Sequence, residues 1–159
     1  MTNRPFETAA DANRFAMGGN ATVTFVSKVS NTRFTFRIQA PHHPGNEGTN
    51  ARRNTDSDFR FVQLLTGNDN ETSFSYIGYV RRGVFFYGDK SKIGRDAKSV
   101  QAFEWVWKNL QRNIITSNTE IWHEGRCGMC NRKLTVPSSV ASGIGPECAE
   151  RAGFFAFPA

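Results

Sequence analysis

The chain has 159 residues, 38% of them hydrophobic and 13% aromatic, which suits one domain with a small appendage and excludes a disordered chain. No apolar run approaches the roughly 20 residues of a membrane span, and the N-terminal stretch lacks the apolar core of a signal peptide, so an intracellular, cytoplasmic protein without a membrane partner is expected. The formal net charge is +6, concentrated in residues 21–40 (Lys28, Arg33 and Arg37, +3) and 81–100 (six cations against Asp89 and Asp96, +4). Such clusters suit an anionic partner, nucleic acid or an acidic protein surface; a merely solvated surface is the competing reading.

Pro5 can open a short amphipathic helix with Phe6, Ala9, Ala10, Ala16 and Met17 on one stripe, stopped at Gly18 and Gly19. Val23 and Phe25, then Phe34, Phe36 and Ile38, alternate as a hairpin around Ser30 and Asn31, which leaves Arg33, Thr35 and Arg37 on the opposite face. Residues 41–58 contain Ala51 as their single hydrophobic residue, too little to repay ordering, and predict a mobile loop. Residues 59–67, 73–80 and 84–88 read as three further strands, the last two joined through Arg81, Arg82 and Gly83.

A basic loop, residues 89–99, then leads into a helix capped by Asp96 or Ser99 and running to about Arg112. Val100, Phe103, Val106, Trp107 and Leu110 form its apolar stripe, whereas Trp105 falls on the polar side with Gln101, Lys108, Asn109 and Arg112. An exposed Trp105 could stack a base or anchor a partner; cover by a loop or the C-terminal zinc module is the competing and favoured reading. The predicted architecture is α+β: residues 1–115 form an antiparallel sheet of about five strands packed by this C-terminal-side helix. Residues 112–120 connect it to a module spanning 116–159.

That module holds all three cysteines, Cys127, Cys130 and Cys148, the first two as a C-x-x-C knuckle whose turn aims backbone N–H groups at the sulfurs. Reduced thiols in this pattern favour zinc over a disulfide framework. His123 is the economical fourth ligand, giving H-x3-C-x2-C-x17-C. Glu120, Glu124, Glu147 and Glu150 compete, and a water in the fourth position would make the site open. Few apolar residues are available here (Ile121, Trp122, Leu134, Val136, Val140 and Ile144), so the zinc is expected to be structural, in a treble-clef or zinc-ribbon-like module.

Residues 122–149 resemble a small zinc-binding domain of unknown function widespread in phage and prophage proteins, with the pattern C-x-x-C-G-R-x-L, a Ser-containing turn and G-x-G-P-x-C. Cys127, Cys130, Arg132, Leu134, Ser139, Gly143, Gly145, Pro146 and Cys148 match it, while Asn131 stands where Gly is usual. A His before the first Cys also occurs in that family, which supports His123 as a ligand. Through "FVQLLTGNDN", "YIGYV" and "FEWVWKNL", the whole chain is similar to uncharacterised phage or prophage proteins. The resemblance implies a zinc fold and the cytoplasm of an infected or lysogenic bacterial host, and it implies no reaction.

Catalysis is not expected. His42 and His43 are adjacent in the loop without a nucleophile or carboxylate at a recognisable spacing, and Asp69 and Glu71 suit an ordinary turn. The first functional expectation is a non-enzymatic accessory protein that binds nucleic acid through Arg33, Arg37, Arg81, Arg82, Lys90, Lys92, Arg95, Lys98 and Trp105. The second is a phage-encoded inhibitor that docks on an acidic surface of a host, nucleic-acid-processing defence complex. No small-molecule substrate is evident.

Overall fold

A computed structural model describes residues 5–43, 53–67, 73–129, 134 and 142–144. Its elements, in chain order, are α1 (Ala9–Ala16), β1 (Asn20–Ser27), β2 (Thr32–Gln39), β3 (Phe59–Leu65), β4 (Phe74–Arg81), β5 (Val84–Tyr87), α2 (Lys98–Gln111) and β6 (Thr119–His123). The strands form one antiparallel sheet in the order β5-β4-β3-β2-β1-β6. The α+β class and antiparallel pairing are as expected. The sheet has six strands rather than five, and α2 lies mid-chain, with β6 after it.

The sixth strand comes from residues read in sequence as the connection and the start of the C-terminal module. It pairs with β1 from Val23↔His123 to Ser27↔Thr119, so His123 and Ile121 lie opposite Val23 and Phe25. Only these two positions of β6 are buried, and five residues with two apolar-face positions carry little alternation signal.

Both helices pack on the face that carries Val23, Phe25, Phe36, Ile38 and Val62. In α1 the Thr8 hydroxyl accepts the Asp11 N–H at 3.1 Å, capping the helix. Its buried residues are Ala9, Ala12, Phe15 and Ala16; Ala10, assigned in sequence to the apolar stripe, is exposed. The expected stripe of α2 is buried at all five positions. Neither Asp96 nor Ser99 caps this helix: Ala97 takes the N-cap position without a side-chain bond, and Ser99 is buried inside the first turn. Phe103 is the centre of the core, its ring 4.9 Å from Phe36, 4.8 Å from Phe85, 5.7 Å from Phe25 and 5.6 Å from Trp107.

The loop expected to be mobile over 41–58 is held at its described ends. His42 and Arg53 form an antiparallel bridge, and Arg53 Nη1 donates to the Ala40 carbonyl at 3.0 Å. Arg60 in β3, 4% exposed, sends its guanidinium into the interior. There it donates to the carbonyls of Met17, Thr55, Ser57 and Phe59. A composition argument scores hydrophobic residues and has no term for two arginines holding backbone carbonyls. Residues 44–52 lie outside the described residues.

Candidate functional site

The face of the sheet away from the helices is built by the alternate phase of the strands. From β2 it carries Arg33, Thr35, Arg37 and Gln39; from β3, Phe59, Phe61, Gln63 and Leu65. A shift of register beyond Val62 brings Tyr76 opposite Gln63 and Phe74 opposite Leu65, so both join this face, with Tyr79 and Arg81 further along β4. Val84 and Phe86 complete it from β5. Strands β2 to β5 contain no Asp or Glu. The single carboxylate in the six strands is Glu120 of β6, whose Oε2 is 3.9 Å from Lys28 Nζ.

Phe61, Tyr79 and Phe86 occupy one cross-strand row of this face, Phe61 opposite Tyr79 and Tyr79 opposite Phe86. Tyr79 stacks on Phe86 (5.3 Å between centroids, 23° between planes) and on Phe59 (4.9 Å, 13°). Phe61 is 36% and Phe86 44% exposed. Arg37 lies to one side of the row: its Nε and Nη2 donate to Gln63 Oε1 at 3.0 and 2.9 Å, and its Cζ sits 4.2 Å above the Phe74 ring. Partial burial, reinforced by the charge of Arg53, lowers the Arg37 pKa from its usual value. Arg81 lies to the other side, exposed and opposite Phe59.

The predicted cations therefore fall in three places. Arg33, Arg37 and Arg81 share the open face. Lys90, Lys92, Arg95 and Lys98 are exposed on the β5–α2 loop and the first turn of α2, and Arg95 pairs with Glu104 at 3.5 Å. Arg82 is at the β4–β5 turn with φ of 53°, its Nε 3.3 Å from Asp58 Oδ2. Trp105 lies with the second of these: it is 52% exposed, at the rim of a groove of about 700 Å³ between α2 and the β1–β2 end of the sheet. Val29, Phe34, Val106 and Lys98 also line that groove.

Among the residues expected to ligate a metal, Cys127 is 1% exposed and its Sγ accepts the Met129 N–H at 3.4 Å, an N–H-to-sulfur contact of the kind expected there. His123, 2% exposed, lies against Phe6 and Phe15, with both ring centroids 5.4 Å away. Its Nδ1 accepts the Gly125 N–H at 2.8 Å. That bond uses the Nδ1 lone pair and leaves the proton of the neutral ring on Nε2, so either nitrogen can ligate a metal only after the Gly125 N–H turns away. Gly125 has φ of 81° and open space where a Cβ would stand, while its carbonyl accepts the Leu134 N–H at 2.8 Å. The donor chemistry therefore fits at Cys127 and requires a peptide rearrangement at His123. Cys130 and Cys148 lie outside the described residues, as do Asp69 and Glu71. Among the described residues no three His, Cys, Asp or Glu side chains gather as a metal site.

Gly128 packs backbone to backbone on the end of α1. Gly128 accepts the Asn20 N–H at 2.7 Å and donates to the Gly143 carbonyl at 2.8 Å, while Leu134 and Ile144 are buried in the common core. A Cβ on Gly18 would lie 2.7 Å from the Gly128 oxygen, and one on Gly143 2.4 Å from Phe15 Cδ2. Close approach thus explains these two glycines.

Residues 120–153 match a family of unknown function (DUF6011). The match begins inside β6 and takes in His123, Cys127, Cys130 and Cys148. No curated protein and no solved structure matches the chain.

Sequence reasoning missed the aromatic row. A signal was present: "FRF" places Phe59 and Phe61 in the phase opposite the Val62 and Leu64 core positions, and "VFFY" offers an aromatic in each phase.

Proposed function

We propose that this chain is a non-enzymatic accessory protein that binds nucleic acid through the open face of its sheet, in a phage or prophage setting within the bacterial cytoplasm. The observation that carries the reading is the charge of that face: Arg33, Arg37 and Arg81 across four strands without a carboxylate. Guanidinium groups there meet phosphates without competition from acidic side chains on the same strands. The exposed β5–α2 lysines extend positive potential around the β5 side.

A structural zinc held by Cys127, Cys130 and Cys148, with His123 as the fourth donor, completes the proposal. When bound it cross-links the C-terminal segment to β6, and its role is folding energy rather than reaction chemistry. The buried Cys127 and its N–H-to-sulfur contact support this.

Fluorescence anisotropy of labelled DNA and RNA oligonucleotides at low ionic strength tests the main reading. Binding that weakens steeply with added salt is expected, and absence of binding at low salt would overturn it.

One observation favours a second reading, an inhibitor that docks on a host protein: the half-exposed Trp105 at the rim of an apolar groove. That reading predicts a stoichiometric protein partner that survives nuclease treatment of the lysate and is lost with Trp105→Ala. Loss of every partner on nuclease treatment supports the nucleic-acid reading instead.

A further inference from the structure

We infer that the open face takes single-stranded nucleic acid, stacking unpaired bases on Phe61 and Phe86, the exposed ends of the row that Tyr79 joins. The inference rests on the nucleic-acid reading above and narrows it to one class of ligand.

Three features point this way. The first is the apolar surface itself. Phe61 on β3 is 36% exposed, and Phe86 and Val84 on β5 are 44% and 53% exposed; Tyr79 on the intervening β4 joins Phe61 to Phe86 in one surface on the side of the sheet that neither helix covers. Cross-strand pairing accounts for the contact of Tyr79 with Phe86, since such pairs stabilise a sheet. It gives no reason for large apolar side chains to remain on the solvent side of three successive strands.

The second is the arrangement of charge around the rings. Along the strands, Arg37 belongs to the rung on one side of the row and Arg81 to the rung on the other. A strand laid across the rings thus has a guanidinium on either side for its phosphates while its bases meet Phe61 and Phe86, the exposed ends of the row, with Tyr79 stacked between Phe59 and Phe86 as their support. The absence of Asp and Glu from β2 to β5 removes the repulsion that would oppose it.

The third is shape. The surface is a sheet face formed by side chains at successive rungs, with no helix on that side among the described residues to enter a groove. A duplex keeps its base faces inside its own stack and would offer the rings only its backbone. Unpaired bases offer π-faces of any sequence, which aromatic side chains bind with little sequence preference.

The test is anisotropy with the full chain and four labelled probes of equal length: oligo-dT, oligo-rU, a duplex, and an abasic single strand. The expected result is that oligo-dT or oligo-rU binds at least about tenfold more tightly than the abasic strand and the duplex, and their ratio tells DNA from RNA. Phe61→Ala and Phe86→Ala should each weaken the single-strand complex by roughly tenfold and leave the duplex and abasic affinities unchanged. Equal binding of abasic strand and oligo-dT would overturn base stacking while leaving the nucleic-acid reading in place. Binding of none of the probes would overturn both. The abasic comparison uses only the wild-type chain, so it stands even where a variant fails to fold.

Discussion

Arg60 donates to the Met17 carbonyl through both Nε (3.1 Å) and Nη2 (2.9 Å), fastening β3 to the C-terminal end of α1. The same guanidinium reaches the carbonyls of Thr55, Ser57 and Phe59, so one side chain sets the path of the chain into the sheet. No carboxylate is among these partners. The Arg60 charge is met by carbonyl dipoles, and burial lowers its pKa while Asp58 opposes that shift.

Replacing Arg60 by Met keeps much of the stem and deletes all five donated bonds, leaving the carbonyls of the partly buried Met17, Thr55, Ser57 and Phe59 without this donor. The expected loss is about 2–4 kcal/mol of stability, read from urea unfolding. Proteolysis should then begin within residues 53–58. Wild-type stability in the Met variant would show that water replaces the guanidinium without cost.

A second prediction concerns Gly143, which combines φ of 76° with a Cβ position 2.4 Å from Phe15 Cδ2. Gly143→Ala should cost about 1–3 kcal/mol through overpacking, with about 1 kcal/mol more from the left-handed backbone. Gly125→Ala provides the comparison, because its φ of 81° carries the backbone cost and no neighbouring atom meets its Cβ. Thermal unfolding should rank wild type, Gly125→Ala and Gly143→Ala in that order; equal effects would mean that Phe15 moves aside freely.

Metal removal should act on the segment C-terminal to β6 and spare the strand itself. The Ile121 and His123 positions are held in a strand pair with β1, whereas the Gly128 N–H bonds the Gly143 carbonyl and the Leu134 N–H the Gly125 carbonyl, each at 2.8 Å. A chelator should therefore accelerate amide exchange at Gly128 and Leu134 and leave β1 and β6 protected. In the zinc-loaded protein the Gly125 amide should shift as its bond to His123 breaks. Cys127→Ser should lose bound zinc. Unchanged exchange in metal-free protein would rule out a structural role for zinc.

Much of this architecture is legible in the sequence where side chains alternate strongly. Phe34, Phe36 and Ile38 in β2, and the Val100, Phe103, Val106, Trp107 and Leu110 stripe of α2, are read correctly because burial alone dictates them. The β6 edge strand is not, because Ile121 and His123 become core only through pairing with β1. The anchoring of residues 53–58 is hidden for a related reason: it depends on Arg53 and Arg60, residues that sequence patterns assign to solvent. For the candidate site, charge counting found Arg33, Arg37 and Arg81 but could not tell that Lys98 and Trp105 border a separate groove. Only the sheet order brings Phe61, Tyr79 and Phe86 from three strands into one row.

Binding at the open face is best probed by comparing wild type with the double charge reversal Arg33→Glu, Arg81→Glu, two exposed positions on that face, across a salt titration of oligonucleotide binding. Both proteins should show the same circular dichroism and thermal midpoint. Wild type should lose affinity steeply with salt, and the variant should show both a large loss of affinity and a slope smaller by about two. Equal affinity and equal slope in the two proteins would exclude binding of nucleic acid at this face.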